Sequence, residues 1–413
     1  MPIILQGLLL GLFATAVSLV AYPPARRFAL RHRILDNPDA RKLQREPVPV
    51  LGGVVVYVGF LAAQLLLFAL HGTVAMLVAF TTLTVMMLIG LWDDLRGLPA
   101  AFRFLVEILM VWILMRFGGF HINDFHGVWG IHGLSFWWSA PLSIIAGVGI
   151  INALNLIDGV DGYSSGFGIL TCLVFASLLF GVGAGEPGCC LLILAGALVP
   201  FFLHNVFGKR SKMFIGDAGT LMLGTAMTTA VFYILDGDSP VAALEERGFG
   251  LLAFTLAVLC IPVFDTLRVM TWRMVKGRSP FDPDKTHLHH LFIELGFSHV
   301  GTSLSIILMN CTIVLAWWVS WRLGASVTAQ LYLVVALGLL VTAGFYAFVK
   351  VHQQRQTRYY AWLCGWGRKS HQIFLGLWKA MRRLVDAPVA LRGQARLRQA
   401  TKRILKKLWG GER

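Results

Sequence analysis

WWSAPLSIIAGVGIINALNLIDGVDG, Trp137–Gly162, opens with a mostly apolar run over 137–155 whose last turn carries two amides, and then ends in two acids. Its apolar part is continuous rather than alternating, which reads as helix and not as strand. A run of that length is enough to cross a hydrocarbon core. Backbone polar groups facing lipid must be satisfied internally, so a spanning segment of this kind is helical. Ten further runs resemble it, at about 2–21, 51–70, 73–91, 100–117, 165–184, 188–205, 218–235, 248–267, 303–323 and 328–349. The mean hydropathy of +0.70 and the 57% hydrophobic content are outside the range of soluble domains. The expected fold is an all-α integral membrane protein of about eleven transmembrane helices.

The basic residues orient it. The net charge of +15 is concentrated in the segment from Lys350 to Arg413, where 16 bases face 2 acids. Residues 1–349 are therefore nearly neutral, and the chain divides into a membrane body (1–349) and a basic tail (350–413). Within the body, 17 of 20 bases fall on alternate connections, 22–50, 92–103, 206–217 and 268–302. The positive-inside rule puts those connections and the tail in the cytosol, with the N-terminus outside. The first run lacks a basic flank and a small-residue cleavage site, so it reads as a retained helix. The tail's end offers Leu397, Ile404, Leu405, Leu408 and Trp409 near one face, ringed by Arg and Lys. It is expected as an interfacial helix on anionic headgroups. The six cysteines have no metal-site or disulfide spacing.

Four polar clusters fall on the cytosolic side by this assignment, although none was used to make it. Asp93 and Asp94 end the third run. Paired carboxylates raise one another's proton affinity unless a cation intervenes. Asn152, Asn155, Asp158 and Asp161 recur at three-residue spacing, which places them on one helical face. Gly159 and Gly162 allow close backbone approach there. Such oxygen-rich surroundings suit Mg²⁺. FIGDAGT (Phe214–Thr220) starts a helix whose N–H groups face an anion. Asp217 can hold a metal bridging to that anion, and Phe214 can stack on a base. FDPDKTHLHHLF (Phe281–Phe292) carries His287, His289 and His290 near Arg278. The three rings are too close in sequence for one regular helical face and no cysteine joins them, so phosphate or sugar recognition is preferred to zinc. In the outer connections, His121, Asp124, His126 and His132 read as interfacial residues without a role, and 236–247 as a solvated acidic loop.

Carboxylates with metal beside anion-binding bases suit phosphoryl transfer, and at a membrane face one substrate is expected to be a lipid phosphate. A transporter, the competing class, would put its acids near the bilayer midplane on broken helices; here they crowd one side. A scaffold anchored by the tail leaves the four clusters unexplained.

DDLRG, NALNLIDGVDG, FIGDAGT and RSPFDPDKTHLHH, preceded by PVPVLGG (47–53), occur in an order that resembles the polyprenyl-phosphate N-acetylhexosamine-1-phosphate transferases of glycosyltransferase family 4. The resemblance covers about 20–300 and is greatest to the branch acting on UDP-N-acetylglucosamine and undecaprenyl phosphate. Gln44, Tyr163 and Thr220 depart from the family pattern. The resemblance implies a multi-pass protein of the bacterial cytoplasmic membrane with a cytosolic active site. Its reaction would transfer an N-acetylhexosamine 1-phosphate from a UDP-sugar to undecaprenyl phosphate, releasing UMP and starting a cell-envelope polysaccharide such as O-antigen. Mg²⁺, replaceable by Mn²⁺, would be held by Asp217 and Asp158. Asp93 and Asp94 would hold or deprotonate the lipid phosphate. Asn152, Asn155 and Asp161 would serve the substrate, Phe214 would stack on uracil, and Arg278, His287, His289 and His290 would take diphosphate or sugar. A homodimer is expected by analogy, and no nucleic acid.

Overall fold

The computed structural model describes residues 2–37, 46–280, 285–372, 376 and 378–387. Its helices are α1 (Ile3–Arg31), α2 (Gly52–His71), α3 (Val74–Arg96), α4 (Ala100–Gly118), α5 (Phe136–Leu156), α6 (Tyr163–Gly181), α7 (Gly185–Phe207) and α8 (Gly216–Ile234). They continue with α9 (Leu251–Val258), α10 (Cys260–Val275), α11 (Leu288–Glu294), α12 (His299–Arg322), α13 (Val327–Leu339), α14 (Phe345–Gln354) and α15 (Arg358–Ser370). Among the described residues, 8 helical segments are long and apolar enough to cross a membrane, or 9 if the bent pair α9–α10 is one span. The other two expected spans fall on α4 and α8, which are of spanning length but more polar. α4 carries Arg103, Glu107 and Arg116; α8 opens with Asp217. α8 is buried along most of its length, so its polar residues face protein.

The ninth expected span, drawn as 248–267 with a loop after it, is corrected. The helix breaks between Val258 and Cys260 with a bend of 75°, then continues to Val275. Pro262 explains the break: it has no N–H, and its ring crowds the carbonyl of Val258. The freed groups find one partner. The Asn310 side chain on α12 donates to the carbonyls of Ala257 (3.3 Å) and Val258 (2.9 Å) and accepts from the Ile261 N–H (3.0 Å). In a low-dielectric interior these groups would otherwise go unsatisfied.

Small residues set the tightest crossings. α1 meets α7 where a Cβ on Gly196 would lie 2.1 Å from the Gly11 carbonyl oxygen, and Thr15 donates to the Gly196 carbonyl at 2.8 Å. α3 meets α8 where a Cβ on Gly90 would lie 2.3 Å from the Asp217 carbonyl oxygen. Without a hydrophobic drive between helices in lipid, such close approach is what holds them.

The only ladder among the described residues is β1 (Leu35–Asp36) against β2 (Val48–Pro49), antiparallel. From it the chain runs beside the start of α8. Phe214 donates to Pro49, and Gly52 and Gly53 donate to Phe214 and Ile215, at 2.8–2.9 Å. The PVPVLGG and FIGDAGT segments are thereby joined. The described part of the tail packs on the body. Ser370 accepts from the Ser298 N–H at 2.9 Å. In the helix 378–387, Asp386 accepts from the backbone of Lys209, Arg210 and Ser211 at 3.0–3.2 Å. Burial would raise the Asp386 carboxyl, but the Ser211 hydroxyl at 2.8 Å, with these backbone bonds, holds it below its usual range. The expected interfacial helix near the C-terminus lies outside the described residues.

Gly196→Ala should destabilise the bundle by about 1–3 kcal/mol through overpacking. Gly149→Ala, on α5 with nothing within 4 Å of the added atom, should be neutral or stabilising by up to roughly 1 kcal/mol. Thermal unfolding in detergent compares the two.

Candidate functional site

A cavity of about 1500 Å³ opens where α3 and α5 end, α8 and α11 begin, and the strap 46–53 crosses. Asp93, Asp94, Asn155, Asp158, Asp161, Phe214, Asp217, His287, His289 and His290 all line it. Asn152 and Arg278 do not.

The start of α8 organises one wall. Gly216 has φ +69, a conformation that suits glycine. A Cβ there would also meet the Asp94 carboxylate at 2.4 Å. Asp94, at the far end of α3, accepts from the N–H groups of Asp217 (2.8 Å) and Ala218 (3.0 Å). The anion expected at this helix N-terminus is thus supplied within the protein, by Asp94. Asp217 projects beside it. Asn155 donates to Asp217 Oδ1 at 2.7 Å and to Thr220 Oγ1 at 2.8 Å. Arg103, on α4, lies 3.1 Å from Asp93 Oδ2, 3.5 Å from Asp217 Oδ2 and 3.6 Å from Glu107 Oε1. Asp93 also caps the turn after α3, accepting from the Leu98 N–H at 2.6 Å.

The Asn152–Asp161 motif divides its work. Asn152 is turned inward and donates to the buried Glu107 carboxylate and to the Val148 carbonyl. Asp158 is open to the cavity but walled by protein. That enclosure pushes its carboxyl up to about 7, against a 2.6 Å hydrogen bond from Ser164 and with help from the negative charge of Asp217 and Asp161. Asp161 is the opposite case. Burial would raise it, but His299 at 3.3 Å and Lys212 at 2.6 Å outweigh burial and hold it below its usual range. The Lys212 ammonium also sits 5.6 Å from the centroid of the Phe214 ring.

The histidines line the cavity beside the Asn155–Gly162 turn. His287 caps the start of α11, and its Nδ1 lies 3.0 Å from Asp265 Oδ2. Asp265, buried on α10, also accepts from Arg268 at 2.6 Å and from the Leu288 N–H at 3.1 Å. His289 lies so close over Gly159 that a Cβ there would be 2.1 Å from its Nε2. Burial, with the neighbouring His290 and His287, holds the His289 ring well below its usual pKa and therefore neutral near pH 7. Arg273, on the helical extension past the expected end of the span, lines the cavity; Arg278 is exposed on the turn beyond.

Glu107, Asp265, Lys212, Arg273 and His299 are site residues that the sequence motifs do not mark. Glu107 and Asp265 each carried a signal, a single acid inside an apolar helix. Chemically, the cavity gathers the five motif aspartates (93, 94, 158, 161 and 217), with Asp36 and Glu46 also on its lining, among basic and imidazole groups. Asp217 and Asp158 offer oxygen donors beside open space, the donor chemistry that suits a hard divalent cation.

The pattern describing glycosyl transferase family 4 matches residues 76–235. The chain is 34% identical over 327 residues to the decaprenyl-phosphate N-acetylglucosaminephosphotransferase of Mycolicibacterium smegmatis, covering 73% of this chain and 78% of that one. The Mycobacterium tuberculosis protein of that name is 32% identical over 325 residues, covering 73% and 79%. The undecaprenyl-phosphate alpha-N-acetylglucosaminyl 1-phosphate transferase of Escherichia coli is 28% identical over 286 residues, covering 66% and 73%.

If Asp94 holds the start of α8, Asp94→Ala should lower stability by roughly 2 kcal/mol, the combined effect of a lost cap and two orphaned donors. Asp94→Asn, which keeps one acceptor, should fall between. Thermal unfolding of the three proteins measures this, and equal stabilities would deny the capping role.

Proposed function

The chain belongs to glycosyl transferase family 4 and is a polyprenyl-phosphate sugar-1-phosphate transferase, and from that premise we propose that it transfers N-acetylglucosamine 1-phosphate from UDP-N-acetylglucosamine to undecaprenyl phosphate. A phosphate oxygen of the lipid attacks the β-phosphorus of the nucleotide sugar. The bond from that phosphorus to the bridging oxygen breaks, and UMP leaves with the bonding electron pair. The product is the lipid-diphosphate sugar that starts a cell-envelope polysaccharide. Lipid phosphate is already largely ionised near pH 7, so Asp93 and Asp94 position more than they abstract.

The observation that carries this reading is the gathering of aspartates from three separate motifs, together with the three histidines, around one cavity. Two phosphorylated substrates need charge neutralisation and alignment more than covalent chemistry. Asp217 and Asp158 would hold Mg²⁺, or Mn²⁺ in its place, which when bound offsets charge on the diphosphate. Asn155 fixes the Asp217 rotamer through its 2.7 Å hydrogen bond. Phe214 offers a face for uracil, with Lys212 and Asp161 beside it. His287, His289, His290 and Arg273 take the diphosphate and sugar. The basic connections support a count of eleven spans with the N-terminus outside and the cavity facing the cytosol. The bacterial relatives support the cytoplasmic membrane of a bacterium as its location, and the tail's charge supports contact with anionic lipid.

Purified full-length protein in detergent, given undecaprenyl phosphate and a panel of UDP-amino sugars, should release UMP only when lipid phosphate and Mg²⁺ are both present. UDP-N-acetylglucosamine should be the best donor. Asp217→Asn should lower the rate by roughly a thousandfold or more with an unchanged unfolding temperature. Near-normal turnover by that variant would remove Asp217 from the metal role. No UMP from any sugar would return the protein to the transporter class.

A further inference from the structure

A second cluster of ligating groups lies at the other ends of α5 and α8, about 30 Å from the cavity by helix rise. It joins two connections that the transferase reaction does not use. The α4–α5 connection supplies Asp124, His126 and His132; the short 3₁₀ helix Pro240–Arg247 supplies Glu245. The two segments are already held in register by Asn123, which donates to Asp236 and accepts from the Gly237 N–H, both at 2.7 Å.

Glu245 lies between the two rings. Its Oε1 is 3.0 Å from His132 Nδ1 and its Oε2 is 3.4 Å from His126 Nδ1. Asp124 Oδ1 is 4.0 Å from the same His126 nitrogen. One ligand atom each from Asp124, His132 and Glu245 fall within 4.8 Å of one another. His126 is the independent observation. It is 1% exposed, yet neither ring nitrogen has a hydrogen-bond partner. A buried, unsatisfied imidazole is costly and uncommon. Here its Nδ1 faces two carboxylates without the geometry of a hydrogen bond to either.

We infer that Asp124, His126, His132 and Glu245 form a zinc site that clamps the α4–α5 connection to the segment following α8. Two imidazole nitrogens with two carboxylate oxygens are a donor set for Zn²⁺ rather than for Mg²⁺ or Ca²⁺, which prefer oxygen alone. Bonds of about 2.0–2.1 Å in a tetrahedron put ligand atoms roughly 3.4 Å apart, close to the spacing of Glu245 from each imidazole; Asp124, His132 and Glu245 already converge, and His126 joins them by turning its ring toward the group. Four protein ligands leave no open position, which makes the site structural. His132, with its side chain 60% exposed, gives the ion a way in. Coordination through His126 Nδ1 would satisfy one of the two unpartnered nitrogens.

The test uses the full chain in detergent, stripped with a chelator and reloaded with Zn²⁺. Metal analysis after desalting should find one zinc per wild-type chain, and chelator competition should give its affinity. His132→Asn, at an exposed position, and Glu245→Gln should each weaken that affinity at least about tenfold. His290→Asn, in the distant cavity, should retain it. Zn²⁺ should raise the unfolding temperature of the wild type but not of Glu245→Gln. Should Glu245→Gln fail to fold, His132→Asn decides alone. No retained zinc, or zinc retained equally by His132→Asn and the wild type, would overturn the site and leave a set of histidine–carboxylate ion pairs.

Discussion

The two hydrogen bonds from the start of α8 to Asp94 are the constraint on which the cavity depends. A helix begins with unsatisfied N–H groups, and here a carboxylate from α3 takes two of them. That bond fixes α3 against α8 at a point where Gly90 already brings the two backbones together. Asp217 then emerges at a defined position beside Asp94, and Asn155, reaching from α5, sets its orientation. Three helices are thus joined by polar groups at their ends, while their remaining length is held by apolar packing. The strap 46–53 completes the arrangement by bonding to Phe214 and Ile215.

Charge is distributed so that repulsion is only partly relieved. Arg103 serves Asp93, Asp217 and Glu107 at once, and Lys212 serves Asp161. Asp158 is raised by burial and then by the charges of Asp217 and Asp161, and among its described hydrogen bonds and ion pairs it has a hydroxyl but no cation to offset them. A pair of carboxylates in that state gains from a divalent ion. Behind the cavity lining, the buried Asp265 orients His287 and Arg268, a use of a buried carboxylate that fixes a ring nitrogen's role.

Much of this was legible from the chain because an apolar background makes polar clusters conspicuous. Asp93, Asp94, Asn155, Asp158, Asp161 and Asp217 stood out at helix ends, and all line the cavity. What was hidden depended on tertiary contact. Glu107 and Asp265 are isolated acids whose partners, Asn152 and His287, are 45 and 22 residues away. Arg103 is near Asp93 and Asp94 in sequence, but its reach to Asp217, and that of Lys212 to Asp161, come only from the fold. A ninth span ending at 267 leaves out the helical face of 268–275, from which Arg273 reaches the cavity while Arg278 does not. The 75° break was readable in principle from Pro262, but its stabilisation by Asn310 was not, because that asparagine sits 49 residues from Ile261. Asn152 shares its helical face with Asn155, yet one turn deeper it meets Glu107 instead of the cavity. The outer histidines were dismissed because only the fold brings Glu245 to them.

Binding of Mn²⁺ in place of Mg²⁺, followed by electron–nuclear double resonance with UDP-N-acetylglucosamine present, would examine the centre of the cavity directly. If Asp217 and Asp158 hold an ion that meets the diphosphate, the bound Mn²⁺ should show coupling to phosphorus nuclei, and Asp217→Asn should abolish it while the protein stays folded. A manganese signal with the same phosphorus coupling in Asp217→Asn as in the wild type would contradict that assignment and place the ion elsewhere.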